Sequence, residues 1–142
     1  MGKVLGIDYG LKRIGLATSD LSRTIASPLV TIQNKGEKKN IQAVTEIIQN
    51  HNIQGIMCGI ALGIDGMETT MSRITREFGE KLAEISGLEV VYFNERYSSK
   101  EAEEHIRNNL GITRHEKIRE LVDKMAASMV LQVYLDKLKK GF

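Results

Sequence analysis

The period of the apolar residues changes along this chain, and that change limits its fold more than any single residue does. Val4-Leu5-Gly6-Ile7-Asp8, Arg13-Ile14-Gly15-Leu16-Ala17 and the segment around Leu29-Val30-Thr31-Ile32 read as three short strands. Gly10-Leu11-Lys12 and a polar stretch ending at Pro28 join them, and connections this short favour antiparallel neighbours. After Lys35-Gly36 the period lengthens to that of a helix, with Ile41, Val44, Ile47 and Ile48 on one face. Ile53 to Cys58 is a compact apolar strand. Met67, Met71, Ile74, Phe78, Leu82 and Ile85 then form the stripe of a long helix from Met67 to Ile85, and Leu88 to Phe93 is the next strand. The capping-box pattern Ser98-Ser99-Lys100-Glu101 starts a further helix, and a last one runs from about Glu116 to Leu138. Between them Gly111 to Lys117 reads as a mobile loop.

This order gives an α/β chain, a mixed five-stranded sheet flanked by helices. At 142 residues, without an internal repeat or linker, it is expected to form one domain spanning 1–142. A net charge of +2 permits nucleic-acid binding without demanding it. Met1-Gly2-Lys3 runs straight into a strand with none of the zones of a signal peptide, and no apolar run is long enough to cross a bilayer. The lone Cys58 sits in an apolar run, reads as a buried thiol and excludes an internal disulfide framework. A reducing, cytoplasmic setting is expected.

Three carboxylates stand out. Asp8 interrupts the most hydrophobic strand, where a carboxylate is costly to desolvate unless it is paired, hydrogen-bonded or bound to a cation; facing solvent or capping a turn is the ordinary alternative. Glu95 follows a strand at its carboxyl end, where ligand sites of open α/β sheets gather, although an exposed loop glutamate fits the local sequence as well. Asp123 extends the helical stripe of Ala126, Ala127, Val130, Leu131 and Tyr134, so it should face the sheet, and small Ala126 and Ala127 would let that helix come close. Favouring the positive end of its helix is the alternative role for Asp123. Together the three would suit hard cations, Mg²⁺ or Mn²⁺. Two such ions about 3.5–4 Å apart activate water and stabilise the leaving oxygen of a phosphodiester.

Gly6-Ile7-Asp8-Tyr9-Gly10, Lys12-Arg13-Ile14-Gly15-Leu16-Ala17 and Ser19-Asp20 closely resemble the opening of the YqgF/RuvX family. The resemblance continues at Glu95-Arg96, Ser98-Ser99 and Glu101-Ala102-Glu103, and at Val122-Asp123, Ala126-Ala127 and Leu131-Gln132 with Tyr134-Leu135. It implies a ribonuclease H-like nuclease with Asp8, Glu95 and Asp123 as its three acids. The substrate it implies is the 5′ end of pre-16S ribosomal RNA, or alternatively a Holliday junction. Two positions depart from the family pattern: Asn94 stands where an aspartate is usual, and Ile60-Ala61-Leu62 replaces Leu-Pro-Leu. They bear on substrate preference or rate more than on the fold.

Candidate nucleic-acid contacts are Tyr9 and Tyr97, which would stack on bases, and Lys12, Arg13, Arg96 and Arg114, which would hold phosphates. Arg73, Arg76, Lys117 and Arg119 are further cations, and Lys137, Lys139 and Lys140 read as solubilising. The loop Gly59 to Gly66 would either offer helix amino-terminal donors to a phosphate or make an ordinary strand-to-helix turn. His51, His105 and His115 lack metal-ligand spacing. Two other functions compete: a non-catalytic nucleic-acid-binding module, and the phosphate loop of sugar kinases and actin-like ATPases, which the Gly-Ile-Asp-Tyr-Gly strand also resembles. RNA against DNA, and monomer against homodimer, stay open at this stage.

Overall fold

A strand as apolar as Val4 to Ile7 needs cover on both faces, and in a computed structural model β1 (Lys3–Tyr9) lies at the centre of the sheet. The structure describes residues 2–95 and 115–141, with the side chains of 115–124 left out. β2 (Arg13–Ser19) pairs antiparallel with β1, and β3 (Ala26–Gln33) antiparallel with β2. Helix α1 (Glu37–Asn50) then crosses over to β4 (Ile53–Ile60), which is parallel to β1. Helix α2 (Thr70–Ser86) leads to β5 (Val90–Asn94), parallel to β4, and α3 (His115–Lys140) follows. The sheet order is β3-β2-β1-β4-β5, the mixed five-stranded sheet expected from the change of period.

Two layers cover it. Leu5, Ile7, Ile14, Leu16, Ile56 and Cys58 face α1 and α2, where Val44, Ile48, Phe78 and Leu82 meet them. Val4, Ala17 and Met57 face α3 through Ala127, Val130, Leu131, Tyr134 and Leu135. Phe78 is 1% exposed at the centre of the first layer. Phe78→Ala should therefore cost about 3–5 kcal/mol, read as a fall in the urea midpoint at unchanged slope.

Several boundaries differ from the sequence reading. β3 starts at Ala26, so Pro28 lies inside a strand rather than ending a loop. It is tolerated because β3 is an edge strand and the pairing register shifts between Leu16 and Ala17, opposite Pro28. Helix α2 begins at Thr70, not Met67, because Thr69 and Ser72 form a reciprocal cap: the Ser72 N–H donates to Thr69 Oγ1 at 3.0 Å and the Thr69 N–H to Ser72 Oγ at 2.8 Å. Its buried face is Ser72, Thr75, Phe78, Gly79 and Leu82, which leaves Met67 and Ile85 exposed at the ends of the expected stripe. Helix α3 is already helical at His115, in keeping with a start expected at about Glu116, so 115–117, which hold no helix breaker, belong to the helix rather than to the expected loop. The rest of that loop, and the helix expected from Ser98, lie outside the described residues.

Candidate active site

Alternation along β1 sends Val4, Gly6 and Asp8 to the α3 side and Leu5, Ile7 and Tyr9 to the other. Asp8 is thus the last residue of an otherwise covered row. Its neighbours in register are Gly15 on β2 and Gly59 on β4. Gly59 is in turn level with Phe93 on β5. Two residues beyond Phe93, on the same side, stands Glu95, fixed by its N–H donating to Ile60 O at 2.8 Å. The carboxyl ends of three parallel strands therefore bring Asp8 and Glu95 together.

Glycines make this possible. A Cβ on Gly59 would lie 2.6 Å from Glu95 Oε2 and 3.3 Å from Val130 Cγ1, so the bare backbone there is the floor on which the carboxylate rests. A Cβ on Gly6 would lie 3.0 Å from Leu131 Cβ, which shows how closely α3 seats on β1. Ala127 lies over Gly15, beside Asp8. Leu131 over Gly6 and Ala127 over Gly15 mean that α3 runs opposite to β1, toward the acid end as it is followed backwards. Asp123 occupies the helical position one turn before Ala127, in the backbone row that approaches this end; its side chain lies outside the described residues.

The two described acids perturb each other. Burial, then the charge of Asp8, then a hydrogen bond with Asp8 push the Glu95 carboxyl up from the usual 4.5 to about 8. Near neutral pH the pair therefore holds a proton between two carboxyls. A raised carboxyl favours the folded state fully below the unfolded value, and that contribution is lost as pH climbs through the folded one. In EDTA the protein should thus become easier to unfold between about pH 4.5 and 8, and Glu95→Gln should flatten that slope in urea titrations. No group of three or more His, Cys, Asp or Glu side chains gathers among the described residues.

Other expected residues fall elsewhere. Tyr9 points to the opposite face from Asp8, with its ring 4.8 Å from Phe78 and its hydroxyl accepting from Asn40 at 3.4 Å, so it packs rather than flanking the acids. Lys12 and Arg13 are exposed at the turn after β1, at the acid end. Arg76 is engaged by Glu68 at 2.6 and 3.2 Å and lies over the Tyr92 ring at 4.9 Å, which argues against a phosphate contact. The 61–69 loop closes on itself and its helix is capped by Thr69, so it is the ordinary turn, not a phosphate cradle. Cys58 is fully buried and its thiol is pushed up to about 12, as an inert core residue. Lys139 reaches Thr24 Oγ1 at 2.6 Å and so does more than solubilise. Arg96, Tyr97, Arg114 and His105, and the side chains of His115, Lys117 and Arg119, lie outside the described residues.

Sequence reasoning missed Gly59 and Gln132. A glycine inside an apolar strand was the available signal for the first, since such a residue marks close approach of another group. Gln132 ties α3 to the β2–β3 loop, its Oε1 accepting from the Ala26 N–H at 2.9 Å and its Nε2 donating to Thr24 O at 2.9 Å. It appears in the sequence only as part of a motif, and nothing local marks the half-buried position that gives it these two bonds.

A family described as RuvX, Holliday junction resolvase, matches residues 2–137. A relative from Endomicrobium trichonymphae, provisionally named a pre-16S rRNA nuclease, is 40% identical over 136 residues, 96% of each chain. Another of the same name, from Caldanaerobacter subterraneus subsp. tengcongensis, is 34% identical over 139 residues, 98% of this chain and 99% of its own. Among solved structures, T. thermophilus RuvC in complex with a Holliday junction substrate matches with a TM-score of 0.54 at 16% identity, over 92% of both chains. The fowlpox virus Holliday junction resolvase matches at 0.57 and 14% identity, over 95% of this chain and 99% of that one. These likenesses establish the ribonuclease H-like fold. No helix among the described residues is long and apolar enough to cross a membrane.

Proposed function

The chain belongs to the RuvX family, and on that premise we propose that it is a cytoplasmic nuclease of one domain that hydrolyses phosphodiester bonds in structured nucleic acid. Asp8, Glu95 and Asp123 are its catalytic acids. The observation that carries this reading is the Asp8–Glu95 pair, two carboxyls held in hydrogen-bonding contact over a glycine floor.

Such a pair fits a divalent cation. Two oxygen-donor side chains that cannot both ionise comfortably give up their shared proton when a hard cation of the Mg²⁺ or Mn²⁺ kind replaces it. Asp8 and Glu95 would hold it, with Asp123 as the third donor. When bound, two such ions supply Lewis-acid activation of water and offset charge on the leaving oxygen. The chain's own contribution is placement: β1 and β5 present the acids from rigid strand ends, and α3 excludes water from the sheet beneath them. Lys12 and Arg13, at the same end, are set to steady the backbone of the nucleic acid.

The relatives' names favour pre-16S rRNA as substrate, and processing of its 5′ end would need no more than a monomer. The family description favours the second reading, a Holliday junction cut by a homodimer whose symmetry matches it. The deciding experiment is cleavage with Mg²⁺ or Mn²⁺ of a pre-16S leader RNA and of a four-way DNA junction. The RNA should be cut in preference. Selective junction cleavage would transfer the assignment, and a protein that cuts neither under any metal condition would be a binding module.

A further inference from the structure

Two loops leave the sheet beside the acids, one after β1 and one after β4, and both hold large apolar side chains out to solvent. Leu11, at the tip of the β1–β2 turn, is 72% exposed; Ile64 and Met67, between β4 and α2, are 88% and 65% exposed. Since β1 and β4 are parallel with Asp8 level with Gly59, both loops stand at the acid end of the sheet.

Neither loop is slack. The Gly10 N–H donates to Arg13 O at 3.0 Å, and a Cβ on Gly10 would lie 2.5 Å from that oxygen, so the turn closes this tightly only on glycine. Asn34 fastens it from the side: its N–H donates to Lys12 O at 2.9 Å and its Nδ2 to Gly10 O at 2.9 Å. Buried Asn40 holds Asn34 in turn, Nδ2 to Oδ1 at 2.8 Å. The second loop is braced by the Gly63 N–H on Met67 O at 2.9 Å, the Met67 N–H on Asp65 Oδ1 at 3.0 Å and Thr69 Oγ1 on Ala61 O at 2.8 Å.

An apolar side chain on a braced tip has already met much of the ordering cost of binding. Its setting identifies the occupant. Leu11 is followed by the exposed cations Lys12 and Arg13, and exposed Arg73 lies near the start of α2. Separate apolar tips beside cations suit nucleic acid, whose phosphates take the cations while apolar wedges enter opened base steps. Large apolar patches are what mark protein partners, whereas these tips alternate with exposed cations.

The geometry points to a base-gripping mouth, with Leu11 as one lip and Ile64 and Met67 as the other, that holds nucleobases out of the stack next to the bond to be cut. This rests on the nuclease reading and deepens it. The substrate class is nucleic acid whose base pairs beside the cut are open or easily opened, at a branch or a duplex–single-strand boundary, rather than a continuous duplex.

The test uses the full chain and an RNA carrying 2-aminopurine in the last base pair before a duplex–single-strand boundary. Binding should brighten the probe. Leu11→Ser and Ile64→Ser, both at exposed positions and checked for folding by circular dichroism, should lose the brightening and raise KM roughly tenfold. Mismatching the base pairs at the boundary should shrink that deficit. Lys12→Ala should weaken binding and its salt dependence yet keep the brightening. Binding without brightening, or brightening unchanged in both serine variants, overturns the proposal. So does a shift in monomer–dimer balance with unchanged brightening, which would make the tips a contact between copies. Brightening that needs Leu11 in a protein that cuts nothing would support the mouth while removing the nuclease reading.

Discussion

Asp8→Asn should lower cation-dependent cleavage by about 10³-fold while leaving the protein folded and, above neutral pH, more stable. The activity estimate follows from the proposed role of Asp8 as a metal ligand, whose loss removes several kcal/mol of transition-state stabilisation, at about 1.4 kcal/mol per tenfold. The stability gain follows from the carboxyl pair. Removing the charge of Asp8 lets Glu95 ionise more easily, although burial, its leading perturbation, still holds it above the ordinary range. Single-turnover cleavage and urea melts at pH 7 and 9 should therefore move in opposite directions. A variant that cuts at the wild-type rate would remove Asp8 from the chemistry, and one that unfolds would assign it to structure instead.

Gly59→Ala should lower activity out of proportion to the single methyl group it adds. Its Cβ would meet Glu95 Oε2 at 2.6 Å, and the carboxylate, at the end of a flexible side chain, yields before the backbone does. Val130 Cγ1, 3.3 Å away, restricts escape on the α3 side. A displacement approaching 1 Å at a catalytic group is enough for about 10²-fold in rate. The expected result is near-normal thermal stability with cleavage down by roughly that factor. Full activity would mean that Glu95 works from a different position than the one Gly59 accommodates.

The contrast between those residues shows what sequence carried. Asp8 stood out because a charge inside an apolar strand breaks its own local pattern, and Glu95 because strand ends are where sites form, although a turn cap and an exposed loop residue fitted the local sequence as well. Their contact was not legible, since it depends on the parallel register of β1, β4 and β5, which no local pattern encodes. The sheet itself was readable from the change of period, while its edge was not. Pro28 looked like a loop residue because a proline signals the absence of a donor, and whether a donor is needed depends on which strand lies outermost. Tyr9 was misplaced for a related reason: adjacency to Asp8 in sequence means opposite faces in a strand. Met67 lay before the Thr69 cap that starts the helix, and Ile85, though inside its last turn ahead of the left-handed Gly87, faces solvent.

The seating of α3 on β1 has a bearing on how the molecule is made. The strand that carries Asp8 is synthesised first, whereas Ala127 and Leu131, which cover it, emerge about six to twenty-four seconds later at ordinary rates of translation. Until then the Val4, Ala17 and Met57 side of the sheet has no lid. A nascent chain therefore carries Asp8 beside an uncovered apolar surface until α3 arrives, the kind of exposure that makes a partly folded chain prone to aggregate. The helix whose backbone row approaches Asp8 is thus also the helix that closes that side of the sheet, so a chain halted before α3 would lack both.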